Sequence, residues 1–263
     1  MTTLLAVAFT SLAAAQPVDS PLAGAFEQPP APGFVLAPLL DGPPPDLGKW
    51  KGSISVGATA SDGNTNRKTG TATADVSKRR EKDRISFGFL WNYAKEEGVT
   101  TQRRTLGTAK YDYFLTKKAY LLAQASGESD LNAQLDLRTI VGVGAGYQFR
   151  EDEKWKIAGE AGLAYVDENY EDNTADKDFL AARLAYKVDW KASDLWEAGQ
   201  AAEIFPSLEN KEDVNARVDT HAKLTLTKSM FAQFQWLFTW DNTPATGAKR
   251  VDDLYLVTLG WSF

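Results

Sequence analysis

The sequence contains no cysteine, one histidine and only two methionines among its 263 residues. Without cysteine there is no disulfide framework and no thiol chemistry. With His221 as the sole imidazole, a nitrogen/sulfur metal cluster is excluded too. A basic excess is also missing: the net charge is −6 and the isoelectric point is near 5.0, which argues against a nucleic-acid partner. No apolar run approaches the ~20 residues of a transmembrane helix, and no segment follows a helical period. Mean hydropathy is only −0.34. That average does not exclude a membrane, because a barrel strand needs about 9–11 residues with every second one apolar. Proline is nearly absent from most of the chain, since nine of the eleven prolines lie in the first 48 residues.

That clustering divides the chain. Leu4 to Leu12 is a short apolar segment, and Ala13-Ala14-Ala15 before Gln16 fits a small-residue cleavage site. Residues 1–15 therefore read as a signal peptide, although Met1-Thr2-Thr3 lacks the usual positive charge. Residues 16–48 form a proline-rich linker, because proline has no amide donor and prefers extended, solvated backbone. Within it, Phe34-Val35-Leu36 could dock on a partner or plug a lumen, but the stretch reads first as a passive tail. Residues 49–263 are the folded domain.

From Trp50 onward, segments of about ten residues alternate apolar and polar, longer than the usual ~5–6-residue globular strand. The last is the clearest. Tyr255, Val257, Leu259, Trp261 and Phe263 share one face, and Thr258, Gly260 and Ser262 the other. It resembles the closing strand of a bacterial outer-membrane barrel, whose terminal aromatic is part of the signal read by the assembly machinery. Twelve strands are predicted, near 50–61, 67–79, 84–94, 101–114, 118–127, 132–149, 154–166, 178–190, 194–205, 213–226, 230–241 and 252–263. The second, fifth and ninth have the weakest pattern. The predicted fold is all-β: a transmembrane up-and-down antiparallel barrel of about twelve strands.

Breaks after even strands are tight, whereas Lys95 to Thr100, Asp167 to Lys177 and Asn242 to Val251 are longer. Barrels of this kind have short periplasmic turns and longer outer loops. This predicts a bacterial outer-membrane location with the N-terminal tail in the periplasm. The implied partners are outer-membrane lipid and the barrel assembly machinery, with oligomeric state left open. Trp50-Lys51-Gly52, Gly57 and Gly63-Asn64-Thr65, followed by a barrel ending in an aromatic, resemble the YdiY-like family of outer-membrane proteins described as salt-induced. That resemblance covers about residues 49–263 and implies a domain of unknown function, with no catalytic residues to transfer.

The other strand face carries both charge signs. Arg104, Lys110, Arg138, Lys156, Arg183, Lys187, Arg217 and Lys223 stand against Asp112, Asp136, Glu160, Asp189 and Asp219. Arg138, Arg183, Lys187, Asp189, Arg217, Asp219, His221 and Lys223 are the candidate lumen-lining residues, with Lys187 and Arg217 placed to ring one constriction. Two interiors fit: a narrow pore with a slight cationic excess, favouring small anions, or a plugged, salt-bridged interior, which the balance of signs favours. His221 has no HxS or GxSxG context, so a lipid-modifying enzyme is the distant alternative and no catalytic, cofactor or metal site is predicted. Asp167 to Asn173 is acidic enough to hold Ca²⁺ or Mg²⁺ loosely but lacks EF-hand spacing, and reads first as a solvated loop. Gly142-Val143-Gly144-Ala145-Gly146 has no following helix, so these glycines relieve crowding or ease curvature rather than hold phosphate. The expected role is structural or related to envelope (salt) stress, with a small diffusion channel as the alternative.

Overall fold

The computed structural model describes residues 48–62, 66–171 and 174–263. The expected signal peptide, nearly all of the expected linker and Gly63-Asn64-Thr65 lie outside the described residues. Twelve strands follow one another: β1 (Trp50–Ser61), β2 (Arg67–Arg79), β3 (Asp83–Glu96), β4 (Val99–Phe114), β5 (Ala119–Asp130) and β6 (Leu135–Glu151); then β7 (Trp155–Tyr170), β8 (Lys177–Lys191), β9 (Trp196–Pro206), β10 (Val214–Thr225), β11 (Met230–Asp241) and β12 (Val251–Ser262). Each pairs antiparallel with its sequence neighbours, and β1 pairs with β12 to close the barrel. The fold is the predicted one, with strand ends displaced by a few residues.

Alternation decides which way each side chain points, because successive Cβ atoms leave a strand on opposite faces. On β8, Arg183 is 1% exposed while Leu184 beside it is 55% exposed. The outer surface is apolar and aromatic, with Val56, Phe89, Val143, Leu163 and Val257 all exposed. Such a band on a closed sheet suits hydrocarbon, where every backbone polar group is satisfied within the ladder. Trp155 stacks on Trp190 across the β7–β8 pair at 5.6 Å between ring centroids, near the ends of both strands.

The closing seam is the shortest ladder. It joins Ser53 to Ser262, Ile54 to Trp261, Ser55 to Gly260 and Val56 to Leu259. Gly52 and Phe263 add a reciprocal pair of backbone hydrogen bonds at 3.0 and 2.9 Å. Both ends of the described domain therefore lie at one end of the barrel, together with the connections that follow the even strands.

Three expectations need correction. The predicted Lys95–Thr100 break is a two-residue turn, because β3 and β4 continue to Glu96 and Val99. Glu97 and Gly98 take φ values of 47° and 85°, the left-handed pair that matches the twist of a hairpin. The acidic break beginning at Asp167 starts later, since β7 runs to Tyr170. Asp136, placed by alternation in the lumen, faces outward and is exposed, while Leu135 is fully buried. A register shift between Leu135 and Leu137 reverses the faces there, as an inserted residue in one strand does.

Candidate functional site: the barrel interior

The interior is packed rather than open. One apolar cluster (Leu90, Leu106, Leu237, Leu254 and Leu256) joins β3 and β4 to β11 and β12. A second holds Ile140, Ala164, Val166, Phe179, Ala181 and Phe205 from β6 to β9. A third is Phe114, Tyr120 and Leu122. The Tyr120 ring lies over Gly146, where any Cβ would come within 2.2 Å of it. At Gly146 the glycine reading is therefore a steric one: the missing side chain makes room for an aromatic ring.

Ion pairs fill the space between these clusters. Glu128 joins two strands' cations, with Arg104 Nη2 at 2.5 Å and Arg217 Nη2 at 2.6 Å. Arg104 also binds Asp130 at 3.0 Å. Further round the wall, Arg183 binds Glu160 at 2.9 Å and Glu203 at 3.2 Å. Glu160 also pairs with Lys110 and accepts a hydrogen bond from the Tyr120 hydroxyl at 2.7 Å. Arg84 binds Asp112 at 2.6 Å. Arg104, Arg183 and Arg217 are among the most deeply buried large side chains. For Arg104 and Arg183, carboxylates on two sides satisfy the buried guanidinium charge.

The end opposite the chain ends is capped. Glu168, fully buried, receives Arg138 at 2.5 Å, Lys177 at 3.1 Å and the Tyr170 hydroxyl at 2.6 Å. Arg138 also reaches Asp241 at 2.7 Å. The β11–β12 connection, residues 242–250, is tied to its neighbours. Lys177 Nζ donates to the Thr243 carbonyl at 2.8 Å, Thr243 Oγ1 to Asp213 at 2.6 Å and Asn242 Nδ2 to the Glu212 carbonyl at 2.9 Å. Ala245 in this loop is buried.

The other end opens into a cavity of about 730 Å³. The candidate lumen residues are thereby split between two environments. Arg138, Arg183 and Arg217 belong to the packed interior, while Lys187, Asp189, Asp219, His221 and Lys223 line the cavity. Lys187 pairs with Asp189 at 3.3 Å. Asp219 accepts from Gln235 at 2.8 Å, and Lys223 donates to Ser262 Oγ at 3.3 Å and sits over the Phe231 ring. Lys187 and Arg217 do not ring one constriction, because Arg217 is held by Glu128.

Alternation alone overlooked Asp75, Glu128, Asp130, Glu168 and Glu203, and these carboxylates cancel the cationic excess. Glu128, Asp130 and Glu168 sit beyond the predicted ends of their strands, while Asp75 and Glu203 lie on strands of weak pattern. Tyr255, Val257, Leu259, Trp261 and Phe263 all face outward and are exposed, Tyr255 stacking on Trp236 at 6.5 Å between centroids. Among the described residues, no group of three or more His, Asp or Glu side chains converges as a metal site. Asp167 and Glu168 belong to β7 rather than to a free loop.

Several solved barrels are similar to this chain. The NanC porin is 8% identical, covering 81% of this chain and 98% of that one with a TM-score of 0.49. The translocator domain of the autotransporter NalP from Neisseria meningitidis is 12% identical, covering 81% and 86%, with a TM-score of 0.43. The KdgM porin is 11% identical, covering 82% and 99%, with a TM-score of 0.42. No curated protein matches the sequence. The family model described as "Protein of unknown function, DUF481" matches residues 54–263, nearly the whole barrel. The chain belongs to this family.

Proposed function

We propose that this protein is an outer-membrane barrel with a sealed centre and a structural or envelope-stress role, not a diffusion channel. The observation that carries the reading is the buried Arg104–Glu128–Arg217 bridge, flanked by leucines, at a level where a pore would need water. Conduction requires a continuous polar path weak enough to release what it binds. Side chains that exclude water and neutralise one another offer none. The outward aromatic and aliphatic face supports lipid as the surrounding medium, and the short even connections support a periplasmic placement for the chain ends. The resemblance to salt-induced proteins supports the envelope-stress part of the reading.

A small channel is the second reading, favoured by the open cavity at one end. The two are separated by recording from purified protein in planar bilayers. Steady incorporation without current steps is the expected result, and reproducible steps would overturn the sealed centre. Cell fractionation with heat-modifiability on a gel tests the location. Recovery in the soluble periplasm, with identical mobility before and after boiling, would contradict it.

A further inference from the structure

The cavity at the turn end is a cup whose charge changes with depth. Lys154 lies in the β6–β7 turn, Lys228 in the β10–β11 turn, and Lys51 near the start of β1, so all three stand at the mouth. Asp75 and Asp219 lie deeper, each several residues inside its strand, and Lys187 is the cation near them. Glu153 and Glu197 lie at the same end, but Lys49, Lys51, Lys154, Lys156, Lys191 and Lys228 outnumber them along the lining, so the mouth attracts anions while the floor presents carboxylates.

The floor is also unsatisfied. Asp219 is only 6% exposed. Its Oδ2 accepts from Gln235, but its Oδ1 is buried with no hydrogen-bond partner, and His221 Nδ1 lies 3.9 Å away, beyond hydrogen-bond reach. Asp75 Oδ1 is buried without a partner as well. Acceptors left so in a low-dielectric site call for a donor. A divalent metal is a poor occupant, because no ligand set converges among the described residues and Lys187 is close by. A simple anion would leave both oxygens unmet and bring negative charge toward them.

We propose that the cup binds a small zwitterionic molecule, ammonium inward against Asp75 and Asp219, carboxylate or phosphate outward among Lys51, Lys154 and Lys228. A volume of about 730 Å³ lies within the range of small-molecule sites and accommodates a short peptide. The sealed centre is not needed for this proposal, so a conducting barrel would leave it standing.

The test uses tri-alanine, its N-acetyl form, which is only an anion, and its C-terminal amide, which is only a cation. Each is titrated calorimetrically into the refolded barrel in detergent micelles. Tri-alanine is expected to saturate one site, with both blocked peptides weaker by roughly tenfold or more, as for a lost charge-assisted hydrogen bond. Asp219→Asn should abolish the preference over the acetylated peptide. Lys51→Gln with Lys154→Gln, at the solvent-facing mouth, should abolish the preference over the amide. Heat-modifiability confirms that each variant is folded, and the mouth variant keeps the test alive if Asp219→Asn is not. Acetylated peptide binding as tightly as tri-alanine would replace the proposal with a plain anion site. No saturable binding, or equal binding of all three, would overturn it.

Discussion

Glu128 shows best how single residues hold this interior. It is the common acceptor for Arg104 and Arg217, which come from strands far apart in sequence. Glu128→Ala removes the carboxylate that two buried guanidinium groups share, leaving Arg104 with Asp130, and removing one partner of a buried ion pair costs about 3–5 kcal/mol. Urea unfolding in lipid vesicles should show a loss of that size, with Glu128→Gln milder because it still accepts a hydrogen bond. An unchanged midpoint for Glu128→Ala would mean that the bridge contributes nothing. Arg183 and Leu184 make a second comparison. Leu184→Arg puts a charge on the lipid face, with an expected cost of about 2–4 kcal/mol near the bilayer midplane. Arg183→Leu, one residue away, leaves Glu160 and Glu203 without their shared cation. Both should destabilise, but only Arg183→Leu should be partly rescued by a second change, Glu203→Gln. If Glu203→Gln brings Arg183→Leu no relief, Arg183 is not the cation that holds Glu203 in the interior. Strand alternation made the inward Arg183 and the outward Leu184 legible. It did not reveal that Arg183 meets Glu203, because a partner on a neighbouring strand depends on register, which alternation alone does not specify.

At the level of elements, most strands were readable because one face is apolar and exposed and the other packs inside the barrel, so a slip of one residue would expose every wrong side chain. Where both faces are small, as in β2, or where a bulge intervenes, as at Leu135 to Leu137, the pattern fails and charge is misassigned. β12 combines the clearest pattern with the shortest pairing, since only four residue pairs join it to β1. Phe263 extends that seam through its backbone bonds to Gly52, and its ring lies against the Gly52 backbone. Deleting Phe263 should therefore lower the amount of inserted barrel while secretion proceeds. Quantifying the heat-modifiable form in outer-membrane fractions checks this, and normal levels of the deletion variant would contradict it.

The whole molecule is closed twice, once by the tied β11–β12 loop and again by the packed centre. These closures predict an order of effects. Removing residues 243–249 and bridging the gap with a short polar linker opens the capped mouth, because it deletes Thr243, which anchors to Lys177 and Asp213. Barrels of sixteen to eighteen strands leave an aqueous channel, and twelve strands enclose much less space. Within that smaller interior, Leu106 and Leu237 still meet, and Glu128 still holds Arg104 to Arg217, after the loop has gone. The loop deletion should consequently remain silent in planar bilayers. Adding Arg217→Ala and Leu237→Ala to it removes two of the largest buried side chains, and small current steps should then appear. If the loop deletion alone conducts, the loop is the gate and the centre already admits water. If the combined variant stays silent although it is folded and incorporated, the remaining arginine network and the second apolar cluster are enough to keep the barrel shut.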